Sequence, residues 1–127
     1  MMTTKSWTVV KDALHTTRNV YFTDRETVIK QPKKSAFIDE NKKEVRAWQA
    51  VNDRTMFAPI VRHANDYSWI EMQQCGRFSA NNSEVVDSYK AKLSDKPYTV
   101  SDIHSENLGL LDGEIVCLDY PTLRWTE

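Results

Sequence analysis

The sequence predicts an α+β domain. Runs of β-branched and aromatic residues alternate with two stretches of helical periodicity, and an Asp-Gly pair separates two apolar runs near the end. That order suits an antiparallel sheet with helices packed against it.

Residues 7–10 (WTVV) form a short strand candidate. Residues 19–23 (NVYFT) and 27–30 (TVIK) are two more, and the polar Asp24-Arg25-Glu26 between them reads as a hairpin loop. Pro32 ends the second of these strands because it has no N–H for a ladder bond. A helix is expected over 39–52, capped by Ser35 or Asp39, since Val45, Trp48 and Val51 recur every three residues. Glu40 and Glu44 fall on or beside that apolar stripe, and a carboxylate turned inward needs a cationic partner. Residues 57–62 (FAPIVR) and 67–72 (YSWIEM) read as strands around an Asn65-Asp66 turn. A polar link over 76–82 leads to a second helix over 83–93. Asn81 or Asn82 caps it, Val86, Tyr89 and Leu93 face inward, and Pro97 stops it. The run Leu108-Gly109-Leu110-Leu111, the turn Asp112-Gly113 and residues 114–118 (EIVCL) then make the strongest short hairpin signal in the sequence.

The length of 127 residues suits a single domain spanning 1–127. Four Trp, five Tyr and four Phe supply large areas for burial, as a folded chain requires. With 17 Lys and Arg against 18 Asp and Glu, there is no basic excess of the kind that binds nucleic acid. The densest basic run, Lys30-Gln31-Pro32-Lys33-Lys34, reads as a solvated turn at Lys33 and Lys34. Cys75 and Cys117 share no metal-type spacing with His15, His63 and His104, so a zinc site is not expected. Cys117 lies in the apolar run Ile115-Val116-Cys117-Leu118 and reads as a buried strand residue of a reduced chain. Residues 1–6 are polar and no apolar run approaches a membrane span, so a cytoplasmic location without a membrane partner is expected.

Chemistry-bearing side chains gather around the last hairpin. Asp102 and Asn107 flank one loop, and Asp119 follows the hairpin directly. A tight turn brings its strand ends together, so Asn107 and Asp119 should be neighbours. Two oxygen-bearing side chains, one of them anionic, make a seat for a hard cation such as Mg²⁺, which takes few protein oxygens. Asp102 could accept a proton from an attacking hydroxyl. Each residue alone also fits a plainer role: Lys30 at a strand end, Glu44 on a solvated helix face, Asp102 and Asn107 as turn formers.

Taken together, these residues resemble the protein-kinase-like superfamily, which carries Asp-x-x-x-x-Asn in a catalytic loop and a metal-binding Asp after the next hairpin. Here the stretches are Asp102-Ile103-His104-Ser105-Glu106-Asn107 and Asp119-Tyr120-Pro121, the latter where kinases usually have Asp-Phe-Gly. A His in the loop is similar to aminoglycoside phosphotransferases. The stretch Asp-x-His-Ser-x-Asn and the compactness resemble more closely the early serine/threonine kinases encoded by bacteriophages. Val28-Ile29-Lys30 resembles the Val-Ala-Ile-Lys strand, Val20-Tyr21 the strand entering that hairpin, and Glu44 the helix Glu that holds the Lys.

The resemblance implies a minimal kinase-like fold, with an antiparallel N-lobe sheet, one inward helix, a second helix, a catalytic loop and a short hairpin. It implies ATP and Mg²⁺ as cofactors. Lys30 would bind the α/β-phosphates with Glu44 orienting it. Asp102 would be the base, His104 would touch the γ-phosphate, and Asn107 and Asp119 would hold the metal. The stretch from Glu71 through Gln73 to Cys75 would present backbone groups to adenine. Phosphoryl transfer to a hydroxyl of a host protein or of the chain itself would follow.

The sequence also departs from the family. The glycine positions of the phosphate loop hold Ala13, His15 and Arg18, whose side chains would crowd a phosphate, although Arg18 could supply a positive contact. Val100-Ser101-Asp102 stands where His-Arg-Asp is usual, so a loop-bracing Arg is lost. Only eight residues follow Asp119, so the substrate-binding lobe is expected to be largely missing. A catalytically inactive kinase-like module that blocks a host protein is therefore the alternative. A homodimer that covers exposed apolar surface is a further expectation. Trp125 is a candidate for that interface, although packing on its own core is the favoured expectation.

Overall fold

The computed structural model describes residues 8–9, by backbone alone, 17–101 and 103–126. Ala13, His15 and the expected base Asp102 lie outside the described residues. The architecture is mixed α+β with antiparallel pairing throughout its sheets.

Strands β1 (Thr8–Val9), β2 (Arg18–Phe22), β3 (Thr27–Pro32), β4 (Ile60–His63) and β5 (Ile70–Gln73) build a five-stranded sheet in the order β1-β2-β3-β5-β4. The β2–β3 loop is the predicted one. Thr23 N–H donates to Thr27 O at 3.0 Å and Glu26 takes a positive φ of 59°, which lets a three-residue loop close the hairpin. Pro32 is the last residue of β3, as its missing N–H dictates.

Helix α1 (Ile38–Ala50) packs against β3 and β4, with Asn41, Glu44, Val45 and Ala47 buried. It starts one residue earlier than expected and neither Ser35 nor Asp39 caps it. A 3-10 turn over Ser35–Phe37 runs straight into it, and its N-cap Phe37 makes no side-chain cap bond. The other strand boundaries also shift. β5 opens only at Ile70, because Asp66 accepts the Ser68 N–H and Tyr67 takes a φ of 62°, which holds 65–68 as a turn. β4 opens at Ile60, because a 3-10 turn over Arg54–Met56 precedes it and Phe57 makes a lone parallel bridge to Cys117 instead.

Strands β6 (Gly76–Arg77), β8 (Leu108–Leu111) and β9 (Glu114–Cys117) form a second sheet, ordered β6-β8-β9. Asp112 and Gly113, at φ 50° and 81°, make the two-residue turn that their sequence demands. Between β6 and β8 lies α2 (Ser83–Leu93), with the expected bounds. The Asn82 side chain caps it, accepting from Val85 N–H at 3.3 Å. β7 (Tyr98–Thr99) and β10 (Arg124–Trp125) pair with each other. Trp125 packs on the core only in part. It is 51% exposed, and its ring meets the buried Tyr98 edge-on at 5.6 Å, because β10 pairs with β7.

One core joins the layers. Phe57, Tyr98 and Tyr120 cluster, with ring centroids 4.7 Å apart for Phe57–Tyr120 and 5.6 Å for Phe57–Tyr98. The segment before β4 ties the sheets together: Ala58 N–H donates to Cys117 O and Tyr120 OH donates to Ala58 O, at 2.9 and 2.7 Å. Residues 118–120 are thereby held beneath the large sheet, next to α1. Among the described residues, no helix is long and apolar enough to cross a membrane.

Candidate functional site

Arg18, Val20 and Phe22 alternate along one face of β2, and Val20 is the register partner of Lys30 on β3. Lys30 is buried, which obliges its ammonium to find anionic partners. Its Nζ lies 2.9 Å from Glu44 Oε1 and 2.6 Å from Leu118 O. Glu44 comes from the inward face of α1 and is wholly inaccessible to solvent, at 0% exposure. Every described bond to it comes from a donor: Arg18 Nη1 and Lys30 Nζ reach Oε1, both at 2.9 Å, and Tyr120 N–H reaches Oε2 at 2.5 Å. The inward carboxylate read from the helical stripe thus has two cations, not one.

The last hairpin delivers Asp119. The register Leu108↔Cys117 sets Asn107 beside the residues after β9. Leu118 N–H donates to Asn107 O at 2.9 Å, and Asn107 Nδ2 donates to Asp119 O at 3.0 Å. The Asp119 carboxylate pairs with Arg18 and lies 3.6 Å from Lys30. Burial works against ionising it, yet Lys30 and Arg18 together outweigh burial and hold the Asp119 carboxyl well below the usual carboxylate range. Burial also disfavours the charged form of Arg18, but Glu44 and Asp119 more than offset that and raise it above its ordinary value. Two cations and two carboxylates therefore balance one another at the base of the site.

Above this cluster opens a cleft between the large sheet and the β8–β9 hairpin, with an enclosed volume of about 110 Å³. Its walls are apolar where Val20, Val28, Met72 and Leu118 face one another, and polar where Lys30, Asn107 and Asp119 meet. Ligand pockets usually enclose about 300–1,000 Å³. The cleft is therefore smaller than a usual ligand pocket, and the Asp119 side chain on its wall retains 42% exposure.

Of the residues expected from sequence, Lys30, Gln73, His104, Asn107 and Asp119 line this cleft, and Glu44 sits directly behind Lys30. Arg18 does not line it. Its guanidinium turns to Glu44, Asn41 and Asp119. Glu71 is not brought to the cleft either, because β5 alternates and puts its carboxylate on the far side of the sheet. There Thr27 Oγ1 and Arg62 Nε hold it at 2.6 Å each, and these bonds keep its carboxyl below the ordinary value against the opposing effect of burial. At the Gln73 end, the rim is made by Gln73, Gln74 and Cys75. The first two N–H groups are engaged by Pro59 O and Glu26 O.

Two participants escape a sequence reading. Asn41 is fully buried and bridges Arg18, Lys30 O and Tyr67 O, at 3.0, 3.2 and 2.9 Å. Its signal was its place three residues before Glu44, on the same helix face. Tyr120 reads as a plain core aromatic, yet its N–H fixes Glu44 and its buried hydroxyl fixes Ala58. Neither cysteine is an activated nucleophile. Burial raises Cys75 and pushes the Cys117 thiol up to about 12.

No family model matches the chain, and a search of curated proteins finds no match.

Asn107 and Asp119 suit a magnesium ion in donor type. Asp119 is ionised, partly exposed and carries the charge such an ion seeks, and Asn107 adds an amide oxygen. Among the described residues, no group of three or more His, Cys, Asp and Glu side chains could hold a metal, so an ion here would complete its shell from a ligand and water.

Proposed function

We propose that the cleft binds a magnesium nucleotide, ATP in the first instance, and that the chain transfers a phosphoryl group to a protein hydroxyl. The observation that carries this reading is the meeting of Lys30, Glu44, Asn107 and Asp119 at one apolar-walled cleft, although they come from four separate segments. The minimal kinase-like fold, a nucleotide and a host protein as partners, and a phage-encoded role belong to the same proposal.

The apolar walls accept the base by burial of its ring faces. Lys30, held by both Glu44 and Leu118 O, meets the phosphates. Asn107 and Asp119 hold the metal, which when bound supplies charge neutralisation along the phosphates. Phosphoryl transfer asks mainly for such positioning and neutralisation. His104 lines the cleft wall, which supports a role as donor to a phosphate oxygen. Asp102 receives the hydroxyl proton on the resemblance alone. Arg18 replaces a phosphate contact by a structural one: it locks the carboxylates that the phosphate-binding parts depend on.

One observation favours the alternative of an inactive binding module. The charges of Arg18, Lys30, Glu44 and Asp119 already satisfy one another, so the cluster is complete as a structural element. Purified protein with labelled ATP, magnesium and host lysate decides between them. Labelling of at least one protein, abolished by Asp119→Ala, is expected. Equal labelling by the variant rules out the metal role, and nucleotide binding without any transfer selects the inactive module.

A further inference from the structure

A second groove opens on the other side of α1. Lys43, Arg46, Ala47 and Ala50 form one wall, and Arg124 and Trp125 form the other, around a volume of about 620 Å³. Three cations line it and no carboxylate does among the described residues, although the whole chain carries a net charge of −1. Lys43 is tied to Asp39 at 3.2 Å, an exposed pair of little strength. Arg46 and Arg124 are exposed and have no ion-pair partner among the described residues. Pro121 and Leu123 add apolar lining, Ser101 and Thr122 polar lining, and the Trp125 ring is half-exposed.

We infer that this groove docks an acidic, extended segment of a partner protein. Arg46 and Arg124 would fork onto its carboxylates, and Trp125 would cover an apolar side chain between them. The charge pattern selects this occupant. Nucleic acid needs a longer basic track and a basic excess that the chain lacks. A second copy docked here about a two-fold axis would set these cations against their own equivalents. Pro121, which lines the groove, follows two residues after Asp119, which lines the nucleotide cleft, so the short segment 119–121 links the two sites. Docking stands on the groove alone. That the docked segment is the phosphoryl acceptor rests on the function proposed above, and it makes acidic proteins the substrate class.

The test uses the full chain and a fluorescein-labelled Glu-rich peptide carrying one Ser and one Leu, with Gln-for-Glu and Lys-for-Glu counterparts. Anisotropy should rise for the Glu peptide alone, and less so as salt increases. Arg46→Glu and Arg124→Glu should each weaken binding about tenfold or more, as loss of a charge-assisted bond implies. Both side chains are exposed, so melting and magnesium-ATP binding should stay at wild-type values. Equal binding of the Gln peptide, indifference to both reversals, or no binding at all overturns the inference. A wild-type dimer in sedimentation that either reversal dissociates also overturns it, in favour of a second copy. Docking of the Glu peptide with no transfer to any protein defeats the phosphotransferase reading and leaves the groove. Transfer to lysate proteins without peptide docking does the reverse.

Discussion

Replacing Glu44 by Gln removes one charge and almost no volume, so its cost measures the buried ion cluster and not packing. Glu44 Oε1 accepts from Arg18 and Lys30, and Oε2 accepts from Tyr120 N–H. A Gln amide has only one oxygen. In either orientation its NH₂ group confronts a donor, at Tyr120 or at the two cations. The first mismatch is worth about 1–3 kcal/mol as an unsatisfied buried donor. Breaking a buried ion pair by removing one partner costs about 3–5 kcal/mol. Asp119 remains to face Arg18 and Lys30, which holds the expected total near the lower part of the sum, about 4–5 kcal/mol. A domain of this size has about 5–15 kcal/mol in all, so the variant should fold with a visibly lowered urea midpoint. Glu40→Gln is the matched control. Glu40 is partly exposed, its nearest Arg18 nitrogen is 3.7 Å away, and it should cost under about 1 kcal/mol. A Glu44→Gln loss no larger than that of the control would refute the view that this carboxylate anchors the cluster.

Two further outcomes follow from the same contacts. Asp119 has a folded-state pKa below its unfolded value, so its ionisation adds stability that is fully present above about pH 4 and is lost as pH falls through the folded value. Unfolding free energy measured from neutral pH downward should therefore drop with a shallower slope in Asp119→Asn, and parallel slopes would contradict the depressed carboxyl. At Gly109, an added Cβ would meet Leu118 Cδ2 at 2.8 Å and Cys75 Cβ and Gly76 O at 2.9 Å. Because one of these is backbone, Gly109→Ala should lower stability by about 1–3 kcal/mol in thermal melts. Gly113→Ala should cost less, about 1–2 kcal/mol, from its φ of 81° alone with open space around it.

Much of the fold was legible where a local rule decides the outcome. The Asp112-Gly113 hairpin, the Asn82 cap and the full span of α2 follow from turn and cap chemistry that acts over a few residues. Strands β6, β7 and β10 are two residues each and exist only because distant partners meet them, so no periodicity could announce them. Trp125 illustrates the same limit, since an aromatic near a chain end reads as core, yet its ring lies half-exposed against the buried Tyr98. In the site, Lys30 and Glu44 were legible because a carboxylate on an apolar helix stripe requires a cation. The second cation was not, since Arg18 sits where a phosphate contact was the natural reading, and only the tertiary arrangement shows Glu44 and Asp119 within its reach. Glu71 misleads for another reason: it lies within β5, paired to β3 on one side and β4 on the other, so it is a sheet-interior residue and not part of the cleft rim.

Calorimetric titration of the wild-type chain with ATP, with and without magnesium, tests the central claim most directly. Saturable one-site binding is predicted with magnesium, strongly weakened when the ion is chelated and weakened again in Lys30→Met. Absence of any heat from a folded protein, or equal affinity with and without the ion, would contradict a magnesium-nucleotide cleft built on Lys30, Asn107 and Asp119.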